Sequence, residues 1–149
     1  MSAPNIFLDV AFDEARAAAD RGEVPIGAAV VRDGQIIARA GNRTRADNDP
    51  TAHAEILVIR AACALLKDER LPGCDLYVTL EPCAMCAGAI SFARIRRLYF
   101  SAPDPKGGAV ENGPRLYGQP TCHHAPEVYG GLREREAAAM LRSFFVALR

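Results

Sequence analysis

The sequence predicts an α/β protein in which helices pack on a mixed central β-sheet. Three observations carry this expectation. Helical and strand patterns follow one another in the order α-β-β-α-β-α-β-loop-α. Two adjacent β-rich segments are joined by Asp33-Gly34, a dipeptide that supplies the positive φ angles of a tight hairpin. Helices separate the later strands, which is the connection that parallel neighbours need.

Each element has a local cause. Between Ile6 and Ala19, apolar residues such as Ile6, Phe7, Val10 and Ala11 recur at helical spacing, and Gly22 ends the run. Ile26 to Arg32 and Gln35 to Ala40 form the hairpin, and a polar loop follows from Gly41 to Pro50. A second helix is expected over Ala52 to Leu66, with Ile56, Ile59 and Leu66 on its apolar side. Leu71-Pro72-Gly73 breaks the chain before a third strand, Asp75 to Leu80. Pro82 can open the next helix, Cys83 to Ala93, because its missing N–H would be unpaired there anyway. Arg97 to Phe100 reads as the fourth strand, expected to run parallel to the third. Ser101 to Gly131 is rich in Gly and Pro and is expected to hold little regular structure. A final amphipathic helix runs from Glu134 to Leu148.

Composition bounds the function. The 149 residues fit one domain, 1–149. A chain of that length buries roughly 68–70% of its unfolded surface without disulfide staples. Eighteen basic residues balance eighteen acidic ones, which disfavours a broadly cationic nucleic-acid binder but leaves room for a local basic patch. No apolar run approaches the ~20 residues of a membrane span, and Met1-Ser2-Ala3-Pro4-Asn5 has no signal-like blocks. Five cysteines, Cys63, Cys74, Cys83, Cys86 and Cys122, then point to a reducing cytoplasm, where Cys-x-x-Cys more often means metal or redox chemistry.

His53-Ala54-Glu55, Pro82-Cys83 and Cys86 carry the chemistry. His53 and Cys83 each stand at the start of an expected helix, and Cys83 and Cys86 share one helical turn. One imidazole and two thiolates suit tetrahedral zinc with a fourth position open, and a helix N-terminus favours thiolate anions. Zinc lowers the pKa of a bound water towards ~7, and Glu55, a carboxylate outside the ligand set, can shuttle its protons. A closed structural site, with a fourth ligand from Cys74, Cys122, His123 or His124, is the competing reading. A thioredoxin-like redox pair at Cys83 and Cys86 is another, but it leaves His53 and Glu55 without a role. His-x-Glu followed by Pro-Cys-x-x-Cys is the signature of zinc nucleobase deaminases.

Thr51-Ala52-His53-Ala54-Glu55 and Leu76-Tyr77-Val78-Thr79-Leu80-Glu81-Pro82-Cys83-Ala84-Met85-Cys86 resemble the bacterial tRNA adenosine deaminases. Val24-Pro25-Ile26-Gly27, Ser91 to Arg96, Asp104-Pro105-Lys106-Gly107-Gly108 and Phe144-Phe145 extend the resemblance over nearly the whole chain. The resemblance implies a three-layer α-β-α cytidine-deaminase-like fold, acting as a single zinc-dependent deaminase domain. It implies hydrolytic conversion of a wobble adenosine to inosine in a tRNA anticodon stem-loop, arginine tRNA being the usual substrate. It also implies one Zn2+ per chain on His53, Cys83 and Cys86, with Glu55 as the proton carrier, and a homodimer.

Further expectations concern substrate contacts. The resemblance gives Asn42 a hydrogen bond to the target nucleotide and makes the Asp104–Lys106 loop an RNA contact. Val24, Ile26, Ala54 and Leu80 are expected to wall the base pocket, and His124 to touch phosphate or base. Arg94, Arg96 and Arg97, with Arg43 and Arg45, form the basic clusters expected to meet RNA phosphates. Two other functions fit parts of the pattern. One is deamination of a free base or nucleoside (guanine, cytosine or cytidine). The other is a non-catalytic zinc-stabilised RNA-binding module, against which Glu55 argues.

Overall fold

A computed structural model describes residues 3–148. Four helices are present: α1 (Ala3–Asp20), α2 (Ala54–Leu66), α3 (Ala84–Phe92) and α4 (Glu134–Ala147). The strands are β1 (Gly27–Arg32), β2 (Gln35–Gly41), β3 (Cys74–Leu80), β4 (Arg97–Ala102) and β5 (Glu127–Tyr129), and a 3-10 turn spans Leu116–Gly118. They form one mixed sheet in the order β2-β1-β3-β4-β5. β1 runs antiparallel to β2 and β3, while β3, β4 and β5 are parallel.

Side chains alternate across each strand, so the sheet has two buried faces and becomes the middle of three layers. One face carries Val30, Leu76, Val78, Leu98 and Phe100 against Ala54, Val58 and Ala62 of α2 and Ala87 and Ile90 of α3. The other carries Val31, Tyr77 and Tyr99 against Leu8 and Phe12 of α1 and Ala137 and Met140 of α4. α1 lies against the backbone of the hairpin. Gly27 and Gly41 are register partners, and a Cβ at Gly27 would strike the carbonyl of Ala11, one at Gly41 the carbonyl of Glu14. Only glycine fits at those two positions.

The structure departs from the sequence reading in two places that matter. Ser101 to Gly131 is not wholly irregular, because β5 extends the sheet. Three residues are too few to show a period of two, yet Tyr129 pairs with Tyr99 and Tyr99 with Tyr77. Their rings stack at 4.4 and 5.0 Å between centroids, a cross-strand ladder that fixes the β5 register. Pro82 is not the first residue of α3. Cys83 is the N-cap, with an extended backbone, and Pro82 lies one residue before it.

Candidate active site

The parallel strands β3 and β4 end side by side at Leu80 and Ala102, where α2 and α3 begin. Such a crevice at the carboxyl ends of strands is where α/β sheets bind ligands. His53 and Cys83 are the N-caps of α2 and α3, Glu55 lies in the first turn of α2, and Cys86 lies in the first turn of α3. Neither N-cap side chain bonds its own helix. Both turn inward instead.

His53 Nδ1 lies 3.7 Å from Cys83 Sγ and 3.5 Å from Cys86 Sγ. Ligands bound at about 2.0–2.1 Å through nitrogen and about 2.3 Å through sulfur are about 3.6 Å apart around a tetrahedral zinc. The imidazole already stands at that spacing from both sulfurs, and all three donor atoms lie within 4.8 Å of one another. Among the described residues, no other group of three His, Cys, Asp or Glu side chains is gathered tightly enough to hold a metal ion. Cys122 instead contacts Ser91 Oγ and the His124 carbonyl, and Cys74 is buried at the far end of β3. His124 Nε2 meets the Ile95 carbonyl and His123 lines a separate depression with Phe92 and Leu116, so none of the four fourth-ligand candidates joins the three donors.

Charge supports the same cation. The Cys83 thiol is pulled down to about 5, first by the hydrogen bond Cys86 donates to it, with burial opposing and His53 assisting. The Cys86 thiol is pushed up, because its proton is shared with Cys83 and because it is buried beside Glu55. The proton shared between the two sulfurs holds the place of a cation, and a zinc ion there would stabilise both as thiolates. Glu55 is 4% exposed. Burial pushes its carboxyl up to about 7, the Cys83 charge adds to the rise, and His53 opposes it. That is the range suited to a proton carrier at neutral pH.

His53, Glu55 and Cys83 open onto a cavity of about 170 Å³, whose other walls are Ile26, Leu80, Glu81, Asp104 and Gly107. The sequence-derived residues Ile26, Leu80 and Asp104 are thus gathered around the ligands. Val24 and Asn42 do not line the cavity but are tied to Ile26, which does: Ile26 N–H donates to the Val24 carbonyl, and Asn42 N–H donates to the Ile26 carbonyl. Asn42 is buried, and its Oδ1 has no hydrogen-bond partner among the described residues. Lys106 is exposed on the Asp104 loop, where its N–H donates to Asp104 Oδ1. Ala54 is core, packed under the site. His124 is not in the cavity wall. Its Nε2 lies 2.7 Å from the Ile95 carbonyl, and Ser91 Oγ donates to its own carbonyl, so it docks the long loop on α3.

The basic cluster expected to meet RNA is placed differently. Arg96 makes two 3.0 Å bonds to Asp75, and Arg97 bonds Glu127 at 2.9 Å. Both lie at the entry of β4, at the end of the sheet opposite the cavity. Clustering along the chain did not reveal the acids that strand pairing would bring beside them. Arg45 and Lys106, on the loops that flank the cavity, are exposed.

Two buried carboxylates escaped the sequence reading. Glu23 accepts bonds from Arg45 N and Ala46 N. Glu81 accepts five, from Asp104 N, Val110 N, Glu111 N, Asn112 N and Asn112 Nδ2. Burial works against the Glu81 charge, but these bonds hold its carboxyl below the usual range. The only sequence signal was a Glu between an apolar strand and Pro82.

Fold and site together define a zinc-dependent nucleobase deaminase. The profile of the cytidine and deoxycytidylate deaminase zinc-binding region matches residues 1–102, and the chain belongs to that family. Within the family it groups with the tRNA-specific adenosine deaminases. It is 69% identical over 139 residues to that of Agrobacterium fabrum, covering 93% of this chain and 91% of the relative. It is 45% identical over 149 residues to that of Bacillus subtilis, covering 100% and 92%. A solved structure from a study of A-to-I editing by tRNA:A34 deaminases at the wobble position superposes with a TM-score of 0.91 at 68% identity, covering 92% of this chain and 99% of that one. Guanine deaminase from Nitrosomonas europaea superposes with a TM-score of 0.84 at 27% identity, covering 98% and 86%.

Proposed function

We propose that this protein converts the wobble adenosine of a tRNA anticodon loop to inosine, water replacing the amino group and ammonia leaving. One observation carries the chemistry: one imidazole and two thiols gathered within 4.8 Å, open to a cavity in which the buried Glu55 is the adjacent carboxylate. His53, Cys83 and Cys86 hold one Zn2+, which supplies the Lewis acidity that lets water act as a nucleophile near neutral pH. Glu55 takes a proton from the attacking water and passes it to the ring nitrogen; it then carries the proton of the added hydroxyl to the amino group, which leaves as ammonia as the C–N bond breaks. Val24, Ile26 and Leu80 flank a flipped base, Asn42 offers its side-chain oxygen, and Asp104 and Lys106 meet the neighbouring backbone. An unpaired anticodon loop lowers the cost of extruding the base. Arginine tRNA is the substrate that the resemblance favours.

The chain works as one deaminase domain and as a homodimer. Phe92 is 72% and Leu65 60% exposed, and Phe92 borders a depression with Ile59, Ala89, Glu69 and Arg94. Its apolar centre, rimmed by Glu69 and Arg94 of opposite charge, suits a second copy of the same face. Phe92→Glu then lowers the mass seen by analytical ultracentrifugation. The five unpaired cysteines suit the cytoplasm.

The deciding assay offers the protein an anticodon stem-loop with a wobble adenosine, and separately adenosine, guanine, cytosine and cytidine. Inosine in the stem-loop, with little product from the free compounds, is the expected result. Turnover of guanine with the stem-loop ignored would favour the other reading, which the likeness to the guanine deaminase makes specific.

A further inference from the structure

We propose that Glu81 is a positioning residue that shapes the substrate-facing loop, so that substrate affinity depends on a side chain outside the zinc ligands. The inference rests on the deaminase reading for its kinetic arm only.

Glu81 leaves β3 with its N–H bonded to the Ala102 carbonyl, and its side chain is 2% exposed. Oε1 accepts Asp104 N at 2.9 Å and Asn112 Nδ2 at 2.7 Å. Oε2 accepts Val110 N at 3.1 Å, Glu111 N at 2.9 Å and Asn112 N at 3.0 Å. Four backbone N–H groups from both ends of one loop thus converge on a single carboxylate. No strand or helix supplies the loop's shape between Ala102 and Leu116. In place of a ladder, the loop folds around a fixed anion, the arrangement of an anion-binding nest.

The loop is moulded closely to that anion. A Cβ on Gly108 would lie 2.5 Å from Glu81 Oε2 and 2.6 Å from the Asp104 carbonyl, so no side chain fits there. Gly108 N–H closes the turn on the Asp104 carbonyl, and Ala109 N–H bonds the Pro82 carbonyl. Asp104 Oδ1 accepts the N–H groups of Lys106 and Gly107. The consequence is directional. Asp104 and Gly107 form cavity wall and belong to the loop, whereas His53, Glu55, Cys83 and Cys86 belong to the starts of α2 and α3. Loosening the loop is expected to move this wall more than the zinc donors and Glu55, which the starts of α2 and α3 hold. Among the described residues, the loop's one backbone bond next to a zinc donor is Ala109 N–H to the Pro82 carbonyl.

Glu81→Gln puts an amide NH2 among N–H donors and tests this directly. Amide exchange at residues 104 and 110–112 is expected to accelerate by about tenfold or more, whatever the substrate. With the stem-loop, KM is expected to rise about tenfold while kcat changes less than about threefold. Zinc stays at one per chain. Asn112→Ala removes one donor and spares the β3–α3 junction, so it gives a smaller KM rise in the same direction even if Glu81→Gln folds poorly. Unchanged exchange at these amides in both variants would overturn the proposal. So would a fall in kcat at constant KM, or zinc loss from a folded variant. If wild type ignores the stem-loop but turns over guanine, the RNA reading fails, and the KM test is run on guanine with the exchange test unaffected.

Discussion

His53 and Cys83 hold the same position on neighbouring helices: each is an N-cap with extended backbone, and neither caps its helix. Their side chains meet instead, Nδ1 to Sγ at 3.7 Å across 30 residues of sequence. An N-cap without a capping bond forgoes about 1 kcal/mol. Zinc ligation offsets that loss twice and joins α2 to α3, so the metal is part of the packing as well as of the chemistry.

Cys86→Ala tests that coupling. With two donors left, zinc affinity is expected to fall by about 100-fold or more, which corresponds to about 3 kcal/mol of stability at limiting metal. Metal analysis and thermal melts with and without chelator measure it. A variant that keeps full zinc and an unchanged melt removes Cys86 from the ligand set.

Glu55→Gln separates chemistry from binding. The fold and zinc remain, and kcat falls by at least the ~10²–10⁴-fold typical of a lost proton carrier. The sign of the pH dependence follows from burial, which pushes the Glu55 carboxyl up to about 7. Below its pKa the group already carries a proton and cannot accept one, so activity falls as pH falls. Bound zinc adds positive charge and opposes the rise, placing the acid limb at or below about 7. A wild-type rate that grows steadily on acidification contradicts this assignment.

RNA binding discriminates between the two sets of cations. Arg96 and Arg97 are neutralised by Asp75 and Glu127 at the end of the sheet away from the cavity. Arg96→Gln and Arg97→Gln are therefore expected to leave stem-loop affinity within about twofold. Arg45→Gln and Lys106→Gln are each expected to weaken it and reduce the slope of log affinity against log salt by about 1. Fluorescence anisotropy over a salt series reads both. The opposite ranking restores the arginine cluster as the RNA surface.

What the sequence made legible follows from locality. Cys83 and Cys86 fall on one helical turn, so spacing alone showed that they could cooperate, whereas His53 and Glu55, two residues apart, could do so only because they stand at a helix start. The hairpin was legible from Asp33-Gly34, both of which take positive φ. Long-range pairing was not. β5 is defined by a tyrosine ladder whose members are 22 and 30 residues apart, read as 99 − 77 and 129 − 99. The partners of Glu81 lie 23 to 31 residues away, and most are backbone amides, which leave no residue-type signal. The same blindness hid the acids beside Arg96 and Arg97, which arrive only through strand pairing.

Asn42 yields a prediction in which activity falls and stability is largely kept. It is 5% exposed, and its Oδ1 is buried with no partner among the described residues. A buried acceptor left unpaired costs about 1–3 kcal/mol, so packing alone would not favour an amide there. Its N–H is tied to the Ile26 carbonyl and its own carbonyl to Arg21, which fixes the backbone beside a cavity-wall residue. Asn42→Ala removes the orphaned acceptor and a few side-chain atoms, two changes of opposite sign. Folding stability is therefore expected to change by less than about 1 kcal/mol, or to rise. KM for the stem-loop is expected to rise about tenfold or more, because a donor on the substrate loses its acceptor. Urea melts and steady-state kinetics on one preparation give both numbers. A clear loss of stability with KM unchanged would make Asn42 a packing residue and take it out of the site.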